Sequence, residues 1–194
     1  MKPESLACVR YSDARPQIGD GDLLLFRRTG LISIAGRGRH SHAAKAAWWD
    51  ADLFCVEVRE WVGGRAVTLS SQVQRHAGRI DVYEVNPDDR WPHYDRRLAV
   101  RFMRRLAGCD YGYANVLSAA MLHLPLIRWF VSAEVDDAGS QPKNRRPPFC
   151  SHACAMSDRL GGGVDPVPHL ADRFTEPADL ARSPFYRYRF TLLP

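Results

Sequence analysis

Two side chains in this sequence are of the right type for covalent catalysis. Cys150 lies in Pro147-Pro148-Phe149-Cys150-Ser151-His152-Ala153, where a proline-stiffened loop runs into a helical pattern. His42 lies far upstream, where Ser41-His42 opens a strand pattern. A free thiol, with a pKa of about 8.5, is a weak nucleophile near neutral pH. Backbone N–H groups at a helix start favour the thiolate. A neighbouring imidazolium does the same and later hands its proton to a leaving group. Cys150 is placed for the first effect, and His42 is a candidate for the second.

A catalytic His needs a third group to fix its tautomer and orientation. Glu57, in Leu53-Phe54-Cys55-Val56-Glu57-Val58, is the candidate. Side chains on a strand alternate between faces. A hairpin register that sets Glu57 opposite Ala44 or Ala46 puts it on the face of His42. A register that sets it opposite Lys45 puts the two on opposite faces, so a one-residue slip dissolves the triad. Each residue also has an ordinary reading. A buried Cys at a helix start is commonly inert packing, a strand His is commonly a hydrogen-bonded structural residue, and Glu57 could be solvated. His40 and His152 compete for the imidazole role, although His152 is two residues past Cys150 and on a helix points roughly the other way.

The elements that must position these groups follow from the pattern. Residues 23–27 form a short buried strand after the Gly19-Asp20-Gly21-Asp22 turn. Residues 30–38 form a loop. Strands are expected over 41–49 and 53–60, paired around Asp50-Ala51-Asp52. Two more are expected over 66–69 and 79–85, with a short helix over 70–76. A helix is expected over 95–107 and a second over 113–130, where Pro125 interrupts it. Residues 132–148 are polar and read as an exposed loop, placed to act as a lid because it precedes Cys150. A third helix covers 150–160, closed by Gly161-Gly162-Gly163, and a last strand covers 186–192. No repeat or internal boundary appears, so one domain over 1–194 is expected.

Composition narrows the setting without choosing a partner. The 194 residues carry a net charge of +5, with 45% hydrophobic and 25% charged residues, ordinary for a globular domain. The five cysteines, Cys8, Cys55, Cys109, Cys150 and Cys154, are odd in number and lack zinc-finger spacing, so free thiols in a reducing compartment are expected. The N-terminus has no apolar signal core, and the longest apolar stretch, 116–131, is broken by His123, Pro125 and Arg128. The expectation is a protein made and kept in the cytoplasm, without a transmembrane segment, unless it leaves by lysis or in a virion. No zincin spacing links the seven histidines, so no metal or cofactor is expected. His40 and His42 would share a strand face and could gather a metal incidentally. Arg96-Arg97, Arg101, Arg104-Arg105 and Arg145-Arg146 could form a basic face, but no nucleic-acid motif accompanies them, and no specific nucleic acid is expected.

Taken together, Gly21-Asp22-Leu23-Leu24-Leu25-Phe26, Ser41-His42-Ala43-Ala44, Val56-Glu57 and Phe149-Cys150-Ser151 resemble the circularly permuted branch of the NlpC-like cysteine hydrolases. The YiiX-like proteins are the nearest group, and relatives of lecithin:retinol acyltransferase belong to the same branch. The resemblance spans nearly the whole chain and rests on order and context. It implies an α+β, papain-like fold in which an antiparallel sheet or partial barrel packs on helices, and in which permutation puts the His strand before the Cys helix. It implies Cys150 as nucleophile, His42 as base and acid, and Glu57 as the orienting group. Tyr111, in Cys109-Asp110-Tyr111-Gly112, matches a Tyr-containing segment of the family and is a candidate for substrate binding, with core packing as the alternative. One departure is visible: the family's usual Cys-Ser-Glu is Cys150-Ser151-His152 here.

The implied activity is hydrolysis of an amide bond through a thioester acyl-enzyme, with bacterial cell-wall peptide as the first substrate class. An acyl lipid is the second, through hydrolysis or acyl transfer, with the 113–130 segment as a groove or membrane contact. The non-enzymatic alternative is a binding or virion structural module, in a phage particle for instance, that keeps the fold.

Overall fold

The structure, a computed structural model, describes residues 7–27, 38–59, 61–108 and 148–194. The expected 113–130 helix, most of the 30–38 and 132–148 loops, Cys109, Tyr111 and Arg145-Arg146 lie outside the described residues.

Seven strands form one sheet in the order β1-β7-β6-β2-β3-β4-β5. They are β1 (Cys8–Arg10), β2 (Leu23–Arg27), β3 (His40–Trp49), β4 (Asp52–Arg59), β5 (Gly63–Thr68), β6 (Ile80–Val85) and β7 (Tyr186–Leu193). The β1–β7 pair is parallel and the other neighbours are antiparallel. Among the described residues β1 and β5 are the edges, so the sheet does not close into a barrel. The helices are α1 (Tyr11–Ala14), α2 (Leu69–Arg75), α3 (Arg96–Arg105), α4 (Cys150–Met156) and α5 (Pro177–Arg182). The class is mixed α+β, as expected.

Strand alternation divides the core between the two faces. Leu23, Leu25, Ala43, Ala47, Val56 and Val58 pack with Val100 and Met103 of α3, Ala153 and Cys154 of α4, and Leu180 of α5. Leu24, Phe26, Ala44, Ala46 and Cys55 pack on the other side with Leu69 and Val73 of α2 and with Ala14 and Ile18. A strand covered on both faces reads as a continuous apolar run, which is why residues 23–26 show no alternation. The four buried alanines of β3, Ala43, Ala44, Ala46 and Ala47, keep the centre of the sheet thin and let α4 approach it closely.

Three differences from the sequence reading have physical causes. β5 begins at Gly63, earlier than 66, because cross-strand pairing outweighs the poor strand preference of Gly63 and Gly64. β1, α1 and α5 are three to six residues long and carry too little periodicity to be read. The glycines after α4 do more than stop a helix. The chain continues from α4 into a π-helical turn, Ser157–Gly161, and Gly161 lies against α3. A Cβ there would sit 2.9 Å from both Ala99 Cα and the Leu98 carbonyl oxygen. The triplet locks α4 against α3 and so fixes the helix that carries Cys150.

Candidate active site

The β3–β4 turn decides which face His42 and Glu57 occupy. Asp50 takes a left-handed conformation, φ 51°, and Asp50-Ala51 closes a hairpin whose register runs from Trp49↔Asp52 to Lys45↔Val56. The same count carried one step further sets Glu57 opposite Ala44, on the face of His42. His42 Nε2 donates to Glu57 Oε2 at 2.5 Å. Its ring also packs on Phe26, its partner across β2, with centroids 5.2 Å apart.

Arg65 holds the other side of the carboxylate. It stands directly opposite Glu57 across β4–β5. Its Nε and Nη2 donate to Glu57 Oε1 at 2.8 and 2.5 Å. Glu57 is 1% exposed, so a charge there requires partners, and each oxygen has one. The sequence reading missed Arg65 because it began the strand at 66, three residues too late. The available signal was strand parity: once β4 and β5 pair through Gly63-Gly64, Glu57 and Arg65 face each other.

Cys150 comes from the opposite layer. Helix α4 packs on the face of Ala43 and Val56, yet its first residue meets His42. The β3–β4 ladder ends at Lys45↔Val56, while β3 stays paired with β2 and β4 with β5. Just past that point the Cys150 sulfur hydrogen-bonds to the His42 ring and accepts from the backbone N–H groups of Ala43 and Ser151. With Nε2 on Glu57, Nδ1 is the ring nitrogen left for the sulfur. The cap position of α4 is Phe149, extended at φ −101°, ψ 179°, which supplies no capping acceptor. The first turn of α4 therefore keeps donors for the sulfur and whatever binds beside it.

The electrostatics follow from these contacts. Burial alone would lower the His42 pKa, but hydrogen bonds and charge from Cys150 and Glu57 outweigh it and raise it to about 9. Burial would raise Glu57, but His42 and Arg65 hold it down at about 2. Burial would raise Cys150 as well. The His42 ring and the two N–H groups prevail, and the thiol is lowered. Cys154 and Cys55, buried without such donors, are raised by desolvation above all. Of the three buried thiols among the described residues, one is thus singled out for reactivity. Cys8, Cys55, Cys150 and Cys154 are free cysteines.

The competing histidines go elsewhere. A bulge shifts the β2–β3 register so that Phe26 faces His42 while Arg27 faces His40. Adjacent β2 residues point to opposite faces, so His40 and His42 do not share a face, contrary to the sequence reading. His40 Nε2 instead bonds Asp81 Oδ2 at 2.8 Å. Asp81 also accepts from Thr191 Oγ1 at 2.6 Å and pairs with Arg27 at 3.2 Å. His152 packs against Phe149, ring centroids 5.6 Å apart. Behind the site, buried Lys45 donates to Asp158 Oδ2 at 2.7 Å and to the Gly21 carbonyl at 3.1 Å. Asp158 also accepts from the hydroxyls of Tyr94 and Tyr186. This network ties β3 to the turn that ends α4.

No family model matches the chain, and no curated protein does. Among solved structures, the crystal structure of metalloprotein YiiX from Escherichia coli O157:H7, DUF1105, is similar over 92% of this chain and 99% of that one, with a TM-score of 0.60 and 12% identity. The likeness is one of fold, and it supports a YiiX-like architecture. That protein is described as a metalloprotein. Among the described residues no group of three or more His, Cys, Asp or Glu is placed to hold a metal ion, and the two nitrogens of His42 are taken up by Glu57 and Cys150. The described residues do not fit a metal centre.

Proposed function

We propose that this chain is a cysteine hydrolase with a papain-like, circularly permuted arrangement, acting on an amide bond, with cell-wall peptide as the first substrate class. The observation that carries the reading is the continuous hydrogen-bonded series from the Cys150 sulfur through His42 to Glu57. The Cys150 thiolate attacks the carbonyl carbon, and the carbonyl electron pair moves to oxygen. Backbone N–H groups at the start of α4, beginning with Ser151, are the donors nearest that oxyanion. As the C–N bond breaks, His42 gives its proton to the departing amine and a thioester remains. Water then adds to the thioester, losing a proton to His42. Collapse releases the acid and regenerates the thiolate–imidazolium pair. Glu57 accepts from Nε2 throughout, which keeps Nδ1 toward the sulfur.

An acyl lipid is the second reading, favoured by an exposed apolar tip beside the site. The test incubates the full chain with cell-wall fragments and, separately, with phospholipid vesicles, and looks by mass spectrometry for an acyl adduct on Cys150. A peptide-derived thioester that Cys150→Ala abolishes is expected. Turnover by Cys150→Ala at the unmodified rate rejects the mechanism. A fatty-acyl adduct in place of a peptide one moves the assignment to lipid chemistry.

A further inference from the structure

Near the site end of β4 and β5 the surface is unusual in two respects. Trp61 and Val62, at the tip of the β4–β5 connection, are 85% and 55% exposed, and Trp61 is held at a positive φ of 65°. A Trp and a Val offered to water on a strained turn form an apolar point outside the core. Helix α3 holds five arginines and no acid in ten residues. Arg96 is spent on Asp22 and Arg104 on the Trp48 carbonyl. Arg97, Arg101 and Arg105, at four-residue steps, form one exposed ridge along the helix, and among the described residues no acidic side chain pairs with any of the three. The Gly108 N–H donates to the Gly64 carbonyl at 2.7 Å. That bond ties the end of the ridge to the strand that begins at the tip.

We infer that the Trp61–Val62 tip and the Arg97–Arg101–Arg105 ridge form a docking surface for an anionic phospholipid bilayer. The charge is complementary, since the ridge is cationic and no acid among the described residues neutralises its arginines. The apolar tip selects among anions. Trp belongs at the lipid–water interface, and an aliphatic neighbour such as Val62 gains by entering the acyl boundary and gains nothing on a phosphate backbone. Arg65, which clamps Glu57, lies in the strand that follows the tip, so docking would bring the candidate site to the membrane surface. The inference does not depend on which bond the enzyme cleaves.

The experiment is sedimentation of the full chain with vesicles of pure phosphatidylcholine and of phosphatidylcholine with phosphatidylglycerol, at low and high salt. Binding is expected only to the anionic vesicles, weakening as salt rises. The R97Q/R101Q/R105Q variant should bind on the order of a hundredfold more weakly, from about 1 kcal/mol for each Arg near an anionic surface. Trp61→Ser should weaken binding to the same vesicles. Brominated lipid should quench the wild-type fluorescence, and Trp61→Phe should lose most of that quenching while still binding. The quenching measurement on the unmodified chain stands even if a variant misfolds. Equal binding to neutral vesicles, no binding to either, or binding to oligonucleotides without binding to vesicles would each overturn the inference.

Discussion

Glu57→Gln offers the sharpest test of the site, because Arg65 dictates how the new side chain must sit. Arg65 presents only donors to the Oε1 position, Nε at 2.8 Å and Nη2 at 2.5 Å, and a guanidinium cannot accept. The Gln carbonyl oxygen must therefore turn to Arg65 and its NH2 to His42. Nε2 of His42 then has to accept, which places the ring proton on Nδ1, facing the sulfur. The ring can no longer take the thiol proton, and the carboxylate that stabilised the imidazolium is gone. The Cys150 thiol loses the partner that lowers it and should rise toward the usual free-thiol range. At pH 6 about three parts in a thousand of a thiol with a pKa of about 8.5 are ionised. Its greater intrinsic nucleophilicity recovers part of that, leaving a loss on the order of tenfold or more. The assay is iodoacetamide alkylation of Cys150 by mass spectrometry, with each rate at pH 6 divided by the same variant's rate at pH 9.5 to remove differences in access. Exposed Cys8 serves as the internal reference. Adding Arg65→Met frees the amide to flip, so the double variant should recover part of the pH 6 rate. A wild-type ratio in Glu57→Gln refutes the triad, and a double variant no better than the single one refutes the role given to Arg65.

Three further outcomes follow from the same contacts. The His42 contribution to stability is complete below its free value of 6.5 and lost as pH rises through about 9, whereas that of Glu57 is complete above 4.5 and lost as pH falls through about 2. The melting-temperature gap between wild type and Glu57→Gln should therefore be widest between pH 4.5 and 6.5 and correspond to about 3 kcal/mol, the shared contact counted once. Lys45→Met should cost about 3–5 kcal/mol in urea unfolding, because buried Asp158 loses its cation partner, and adding Asp158→Asn should return much of that. Gly161→Ala should cost about 1–3 kcal/mol, since its Cβ meets backbone atoms of α3 at 2.9 Å.

What could be read from the sequence, and what could not, divides along chain separation. His42 and Glu57 lie on one hairpin, so parity reduced the question to one turn length; the sequence left that length open, and the two-residue turn of the structure, Trp49↔Asp52, decides it, since a three-residue turn would have set them on opposite faces. Strands 23–27, 41–49 and 186–192 and the helix beginning at 150 were legible for the same reason, because each depends on local alternation, a proline or a glycine. The sequence gives no local signal for the bulge beside His40. That bulge sends two histidines of one strand to different carboxylates, Glu57 on β4 and Asp81 on β6. Lys45 and Asp158 lie 113 residues apart, and nothing near either residue points to the other. Yet that pair holds the end of α4 against β3, just as Gly161 holds it against α3. The local pattern thus supplies the chemical groups, and a set of non-local contacts brings the sulfur to the ring. This is why the decisive experiments perturb the groups around Cys150, His42 and Glu57 as well as the three themselves. If the long-range contacts set the geometry, Lys45→Met should loosen the site as well as the fold. Its Cys150 alkylation at pH 6 should fall under conditions where circular dichroism still reports a folded chain. An unchanged alkylation profile in that variant would mean that the β3–β4 hairpin and the first turn of α4 assemble the site on their own.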